Sequence, residues 1–110
     1  LHTGRLDEAS QLIKRAYILK PESPAIIDSM GWALFKRGKI KEALDFLKQA
    51  MAKMPDPEIA AHLGEVYWTL GDEEQAIEAW RKGLKNNPDA SQIISTMKRL
   101  GISLQERNDN

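Results

Sequence analysis

The sequence contains no cysteine, which excludes disulfides, thiolate nucleophiles and zinc–thiolate sites. No apolar run approaches the roughly 18 residues that a membrane-spanning helix needs. No charge of one sign prevails either, because 16 Lys and Arg balance 16 Asp and Glu. The positive field that drives nonspecific nucleic-acid binding is therefore not expected. With 110 residues, 42% of them apolar, the chain has the size and composition of one soluble folded unit.

Several residue types recur together at an interval of about 34 residues, the second interval being one position shorter than the first, which predicts a repeat protein. The recurring sets are Gly4, Gly38 and Gly71, then Ala9, Ala43 and Ala76, and then Pro21, Pro55 and Pro88. A further set contains only small residues, as expected where two helices approach closely: Ala16, Ala50 and Gly83. Each period is predicted to contain a helix, a tight turn and a second helix.

The first helix of each period has an apolar stripe and a clear start. Its buried positions follow the i, i+3, i+4, i+7 spacing of an amphipathic helix. They are Ile27, Met30, Gly31 and Leu34 between Pro24 and Arg37, and Ala60, Leu63, Gly64 and Tyr67 in the next period. Ser23 and Asp56 directly precede a proline, so each is predicted to be the N-cap of a helix whose first residue is that proline.

The second helix of each period follows a glycine. Gly38 and Gly71 stand where a helix ends in a left-handed residue, and the acidic run 72–74 favours the positive N-terminus of the next helix. The predicted buried faces are Leu6, Ala9, Ile13 and Ala16, then Ile40, Ala43, Leu44, Leu47 and Ala50, and then Ala76, Ile77, Trp80 and Leu84.

A last helix is predicted from Ala90 to about Leu100, with Asp89 as its N-cap, Ile94 and Met97 on one face, and Gly101 as its stop. At the position that corresponds to Gly31 and Gly64, the longer repeat interval places Lys98, so this helix is expected to close the stack. The predicted segments are residues 1–23, the second helix of a truncated repeat; 24–56 and 57–90, two full repeats; 91–101, a capping helix; and 102–110, a polar tail.

These positions resemble the tetratricopeptide repeat pattern over Gly4 to about Leu100. One repeat matches it with Ala60, Leu63, Gly64, Tyr67, Ala76, Trp80 and Pro88, and the other with Ile27, Met30, Gly31, Leu34, Ala43, Leu47 and Pro55. The resemblance implies an all-α solenoid of helix-turn-helix repeats, a right-handed superhelix ending in a capping helix. It also implies a protein-binding scaffold or adaptor without enzymatic activity or a cofactor.

Two segments, 28–32 and 56–64, are similar to C-terminal repeats of large proteobacterial TPR proteins, some of them outer-membrane lipoproteins that serve as adaptors for periplasmic proteases. The chain starts at Leu1 without Met and shows no signal or lipidation motif, so we expect a piece of a longer protein. Absence of cysteine fits the cytoplasm and the periplasm equally. The resemblance favours the periplasmic side of the outer membrane.

In this family the first helix of each repeat lines a concave groove, which implies a set of partner-binding residues here. They are Asp28, Trp32, Phe35 and Lys36 from one repeat and Glu58, His62, Glu65 and Trp68 from the next. Aromatics among acids suit an apolar or basic peptide and disfavour an acidic C-terminus. Trp32 is the strongest candidate, whereas Phe35 and Trp68 are as readily explained as core residues.

No motif predicts catalysis or metal binding. Gly38-Lys39 lacks the flanking residues of a phosphate-binding loop, and His62 with Glu65 supplies half of a metal site at most. Glu58 and Glu65 share a helix face, but solvated carboxylates two turns apart lack the burial that tunes an acid–base pair. For His62 and Glu65 the expected arrangement is a plain surface pair.

Three other interpretations remain open. An RNA-binding helical repeat has a similar period, and the groove could be filled by the parent chain itself. Residues 1–55 carry ten basic and six acidic groups, a net charge of +4, and residues 56–110 carry six basic and ten acidic groups, a net charge of −4. Head-to-tail attraction between chains is the third interpretation. We also expect self-association through the partly uncovered face of the first helix, which bears Leu12, Ile13, Ala16 and Tyr17.

Overall fold

A computed structural model describes residues 3–104, with side chains described from residue 8 onward. The predicted tail at 105–110 and the side chain of Leu6 lie outside these limits. The helices are α1 (Thr3–Leu19), α2 (Pro24–Lys36), α3 (Ile40–Lys53), α4 (Pro57–Thr69), α5 (Glu73–Asn86) and α6 (Ser91–Leu100). All regular structure within residues 3–104 is helical, which confirms the all-α prediction.

The predicted helix starts are confirmed by their capping bonds. The backbone N–H of Ile26 donates to the Ser23 hydroxyl at 3.4 Å, and that of Glu58 donates to the Asp56 carboxylate at 2.8 Å. Each bond satisfies one of the free N–H groups in a first helical turn. Asp72 caps α5 in the same way, accepting from the backbone of Gln75 at 3.2 Å.

The tight turns between paired helices depend on two glycines in the left-handed region. Gly38 has φ of 84° and Gly71 has φ of 86°, as predicted. The chain then bends back sharply enough for the N–H of Lys39 to donate to the carbonyl of Leu34, and the N–H of Asp72 to that of Tyr67. A side chain at either glycine would strain this conformation.

The chain divides into two compact units, Leu1–Pro55 and Asp56–Asn110. In the first unit α2 packs closely on α3. A Cβ atom at Gly31 would lie 2.8 Å from Cγ of Leu47 and 3.2 Å from the carbonyl oxygen of Ala43, so a larger residue would separate the helices. Ile27, Ala43 and Leu47 are fully or almost fully buried there.

In the second unit α4 packs on α5 through Gly64 and Trp80. The indole of Trp80 occupies the space that a side chain at Gly64 would need, and it is fully buried. Its Nε1–H donates to the carbonyl oxygen of Ala61 at 3.4 Å, which satisfies the polar end of the ring. A Cβ atom at Gly83 would lie 2.7 Å from that of Ala60, so the predicted close approach at this position is confirmed.

Helix α6 differs from its prediction by one residue in two respects, the position of its N-cap and the isoleucine that it buries. Its N-cap is Ala90, not Asp89, because a turn closed by the bond from Ala90 N–H to Asn87 places Asp89 before the cap. Ile93 is fully buried, whereas Ile94 is 43% exposed. The buried position therefore follows Ala60 by the shorter of the two repeat intervals, and the prediction that Lys98 stands at the position of Gly31 and Gly64 is wrong, because Met97 occupies it. Gly101, with φ of 74°, ends the helix as predicted.

Helix α1 packs on α2 but is incompletely covered. The prediction that Ala9 is buried is wrong, because it is exposed, while Ile13 and Ala16 are only half-buried. Of the residues predicted to be uncovered, Leu12 is 65% exposed, whereas Ile13, Ala16 and Tyr17 are half-buried, and the ring of Tyr17 lies 5.8 Å from that of Phe46 in an edge-to-face contact. Leu19, outside the predicted set, is 81% exposed.

Candidate functional site

The C-terminal half of α2 gathers two rings and one cation on its surface. The rings of Trp32 and Phe35 are stacked with centroids 4.8 Å apart and planes 22° apart. The ammonium of Lys36 lies 5.0 Å from the Trp32 ring centroid, within cation–π distance. Both rings are half-buried and Lys36 is exposed. These three residues form the α2 cluster, produced by the i, i+3, i+4 spacing on one helix face.

Asp28, predicted to join this surface, lies one helical turn before Trp32 and is buried. A buried carboxylate presents little charge to an incoming peptide. The chemistry that α2 offers to solvent is consequently apolar and cationic rather than acidic. This differs from the acidic character expected from the sequence.

Glu65 on α4 is bound by the capping helix. The prediction of a solvated carboxylate is wrong: Glu65 is 8% exposed, and both of its carboxylate oxygens accept hydrogen bonds from Arg99, at 2.5 and 3.2 Å. Hydrogen bonding to Glu65 is the main cause that raises the pKa of Arg99 above its ordinary value. This fork joins α4 to α6 inside the second unit.

The other predicted residues of α4 occupy different environments. Trp68 is half-buried and lies 6.0 Å from the buried Trp80, with the rings tilted by 38°, so it extends the core of its unit. His62 is half-buried, and Glu58 is exposed at the start of the helix. The structure therefore brings Trp32, Phe35 and Lys36 together, but directs Glu65 and Trp68 to neighbours within the second unit.

Sequence reasoning missed Arg99 as a functional partner of Glu65. The available signal was a pair of opposite charges separated by one repeat interval, which places them on successive first-type helices.

No group of three or more His, Cys, Asp or Glu residues in the described part of the chain is placed to hold a metal ion. Among the helices of residues 3–104, none has both the length and the apolar character needed to cross a bilayer.

A comparison of the sequence with protein-family profiles agrees with this repeated helix-pair architecture. The profile described as tetratricopeptide repeat matches residues 1–61 and 34–100. The chain belongs to the tetratricopeptide repeat (TPR) family. Repeats of this family generally act as protein-interaction modules, and its members are typically scaffolds rather than enzymes.

Two curated proteins are similar to parts of the chain. The TPR repeat-containing protein PA4667 of Pseudomonas aeruginosa is 51% identical over 63 residues, which are 57% of this chain and 11% of that protein. The anaphase-promoting complex subunit CDC16 of Saccharomyces cerevisiae is 29% identical over 96 residues, covering 80% of this chain and 11% of that protein. The chain thus spans about a tenth of the length of either relative.

Solved structures agree with the repeat assignment. TTC0263, a thermophilic TPR protein of Thermus thermophilus, superposes with a TM-score of 0.78 at 27% identity, covering 91% of this chain and 52% of that one. MamA superposes with a TM-score of 0.70 at 26% identity, covering 91% and 61% of the two chains. The TPR helix-turn-helix fold is therefore shared with both proteins.

Proposed function

We propose that this chain is a protein-interaction module and that the α2 cluster is a contact point for an apolar segment of its partner. The observation that carries the proposal is the stacking of Trp32 on Phe35, with Lys36 over the indole. Two rigid rings offer a large apolar area whose ordering costs little side-chain entropy on binding. The scaffold role follows from the family, and the cluster supplies a specific surface for it.

The stacking also makes the cluster suitable as a preformed contact. Trp32 contacts both the Phe35 ring and the Lys36 ammonium within its own helix, so its ring is oriented before a partner arrives. Preorganisation lowers the free-energy cost of binding. An aliphatic or aromatic side chain of the partner would pack against the exposed ring edges.

The preference for basic over acidic partners concerns the exposed charges of α2 and α4. Asp28 and Glu65 are buried, so Glu58 is the one predicted acid of these two helices that is fully exposed. Lys36 contributes an opposite charge on α2. We therefore propose an apolar segment as the ligand of the α2 cluster. A discrimination against acidic C-termini is proposed separately, for the exposed Glu58 of the second unit.

The test uses fluorescently labelled apolar peptides of about a dozen residues, in matched forms with basic, neutral and acidic C-terminal ends, measured by anisotropy. Trp32→Ala is expected to weaken binding by about 2 kcal/mol, or roughly 30-fold in Kd. Trp32→Phe is the matched control, since it retains a ring that can stack on Phe35. Unchanged peptide affinity in Trp32→Ala would reject the cluster as a contact point.

The rival functions are distinguished by two further measurements. An RNA-binding repeat would bind labelled single-stranded RNA with an affinity that falls steeply as salt rises. A surface filled by the parent chain would bind peptides of that chain better than unrelated apolar peptides. Balanced charge, 16 basic against 16 acidic residues, favours the protein-binding proposal over the RNA alternative.

The similarity to PA4667 supports a further proposal, that this chain is one segment of a larger bacterial scaffold or adaptor. A role beside the outer membrane, as a lipoprotein adaptor, would belong to that larger protein. Self-association of the isolated chain through α1 is proposed as a property of its uncovered apolar residues. Light scattering across a concentration series, with Tyr17→Glu as the comparison, tests it.

A further inference from the structure

A cleft in the first unit, between α1 and α2, is lined by basic and apolar side chains. Its volume is about 80 Å³, which is enough for one small polyatomic group. The polar part of the lining is Ser10, Lys14, Arg37 and Lys39, and the apolar part is Met30, Ala33 and Leu34. These residues define the α1–α2 cleft, whose charged lining residues are all basic.

The α1–α2 cleft is separate from the α2 cluster. Its α2 residues run from Met30 to Arg37 at the i, i+3, i+4, i+7 spacing of a single helix face. Trp32, Phe35 and Lys36 lie on another face of the same helix. An inference about the cleft therefore does not depend on the peptide contact proposed for the α2 cluster.

The cleft combines a buried hydroxyl with exposed positive charges. Ser10 is 9% exposed, and its Oγ accepts a hydrogen bond from Nη1 of Arg37 at 3.5 Å. A serine hydroxyl that accepts a bond also has one hydrogen to donate. Lys14, Arg37 and Lys39 are exposed, so an ion that enters from solvent meets their charges. Hydrogen bonds from charged donors to an anion are stronger than neutral ones.

These polar residues are not a general property of the repeat. One repeat interval later, the positions of Ser10, Arg37 and Lys39 are occupied by Leu44, Leu70 and Asp72. Asp72 caps α5, whereas Lys39 stands at the N-cap of α3 and makes no side-chain capping bond. A positive charge at a helix N-terminus is unfavourable. Helix formation therefore does not explain Lys39, but an anion site does.

We propose that the α1–α2 cleft binds a doubly charged phosphate group, either as a monoester on a short side chain or as the free ion. Three positive charges exceed what one carboxylate neutralises, whereas a phosphate monoester carries about −1.5 to −2 charges at neutral pH. The guanidinium fork of Arg37 and the Ser10 hydroxyl suit the phosphate oxygens. The apolar lining would contact the carbon atoms of the carrier. A nucleic-acid strand needs a continuous basic groove rather than one small cleft.

The test is an NMR titration of the ¹⁵N-labelled chain at constant ionic strength. The probes are inorganic phosphate and a short peptide containing one phosphoserine, and the comparison peptides carry serine or glutamate at that position. Saturable shifts are expected for the amides of the lining residues, with an affinity for the phosphopeptide about tenfold or more above that for the glutamate peptide. The tighter of the two phosphate probes identifies the source of the group.

The decisive variant is Lys39→Asp, which introduces the residue found at this position in the second repeat. It should weaken phosphate binding by about tenfold or more, and thermal stability should be kept or increased because Asp can cap α3. The matched control is Lys48→Asp, an equal charge change on α3 outside the cleft, at the register position of Lys14. Its effect on affinity should be less than about twofold. Ser10→Ala should weaken binding by about threefold or more.

Equal losses in Lys39→Asp and Lys48→Asp would overturn the proposal, because net charge alone would then account for binding. Equal affinity for the glutamate or serine peptide would overturn it too, as would the absence of saturation with both phosphate probes. Loss of phosphate binding in a stable Lys39→Asp protein that still binds the apolar peptides supports it. That result also separates the α1–α2 cleft from the α2 cluster.

Discussion

The two repeats use one register position in opposite ways. Trp32 of α2 and Glu65 of α4 are one repeat interval apart and equivalent in their helices. Trp32 is half-buried and stacks on its own helix neighbour Phe35, whereas Glu65 is buried and accepts both hydrogen bonds of an arginine fork from Arg99. The same position therefore carries a stacked aromatic ring in one repeat and an anchor for the capping helix in the other.

Burial along the two first-type helices follows the same division. Helix α2 has three buried residues and α4 has seven, so α4 is more enclosed within the second unit than α2 is within the first. The additional cover within the second unit comes from α6, whose Ile93 reaches Gly83 and whose Arg99 reaches Glu65. Stability is thus expected to concentrate around α4, and partner contact around α2.

The largest expected effect separates Trp80 from Trp32. Trp80→Ala removes a fully buried indole and should lower the free energy of unfolding by about 3 to 5 kcal/mol. Trp32→Ala removes a half-buried ring and should leave helix content unchanged while weakening partner binding. Urea unfolding followed by circular dichroism measures both variants. Similar losses of stability in the two would erase the proposed difference between scaffold and contact surface.

A second effect compares the two close glycine contacts. A Cβ atom at Gly64 overlaps the buried indole of Trp80, whereas one at Gly31 lies farther from its nearest neighbours, 2.8 Å from Cγ of Leu47 and 3.2 Å from the carbonyl oxygen of Ala43. Overpacking costs about 1 to 3 kcal/mol, and we expect Gly64→Leu to lie at the upper end and Gly31→Leu at the lower. Thermal unfolding of both variants ranks them. Wild-type stability in Gly64→Leu would show that α4 and α5 do not approach as described.

A third effect concerns the anchor of the capping helix. Arg99→Ala leaves the buried Glu65 carboxylate without its fork and should cost about 1 kcal/mol, because unpaired buried acceptors are costly even when their partner is partly exposed. Glu65→Gln should cost less, since an amide still accepts a bond from Arg99. Amide exchange in α6 provides the local measurement. If Glu65→Gln proved the more damaging variant, desolvation of the carboxylate would not be the dominant cost.

The repeat itself was predictable from sequence because the constraints are local and periodic. Capping at Ser23 and Asp56, and the left-handed turn at Gly38, depend on residues within a few positions of one another. The position of α6 was less predictable, since a single-residue change of spacing exchanges Ile94 for Ile93 on the buried face.

The candidate site was only partly predictable for a different reason. Trp32, Phe35 and Lys36 share one helix, so their spacing determines their proximity. The environment of Glu65 depends on Arg99, which belongs to another helix, and no local pattern reveals such a pairing. Burial of Asp28 likewise depends on tertiary packing, so charge counted along the sequence overstated the acidity of the surface.

The smallest expected effect is a pH-dependent change in stability from an ion pair that one repeat has and the other lacks. The ammonium of Lys53, in the last turn of α3, lies 2.6 Å from the Glu22 carboxylate ahead of α2. In the next repeat the position equivalent to Lys53 is occupied by Asn86, which cannot form an ion pair.

The hydrogen bond from Lys53, with its charge, lowers the pKa of Glu22 below its ordinary value. The folded state therefore releases this proton more readily than the unfolded state. Any stabilisation is fully present above the unfolded pKa, about 4.3, and is lost as pH falls through the lower folded value. Because Glu22 is largely exposed, the contribution should be small and should fade in 0.5 M salt. Glu22→Gln is the control: its α3 amide exchange should lack this acid-dependent change, whereas α5 should behave identically in both proteins. An identical pH response of α3 in Glu22→Gln and the wild type would show that the contact does not distinguish the two repeats in solution.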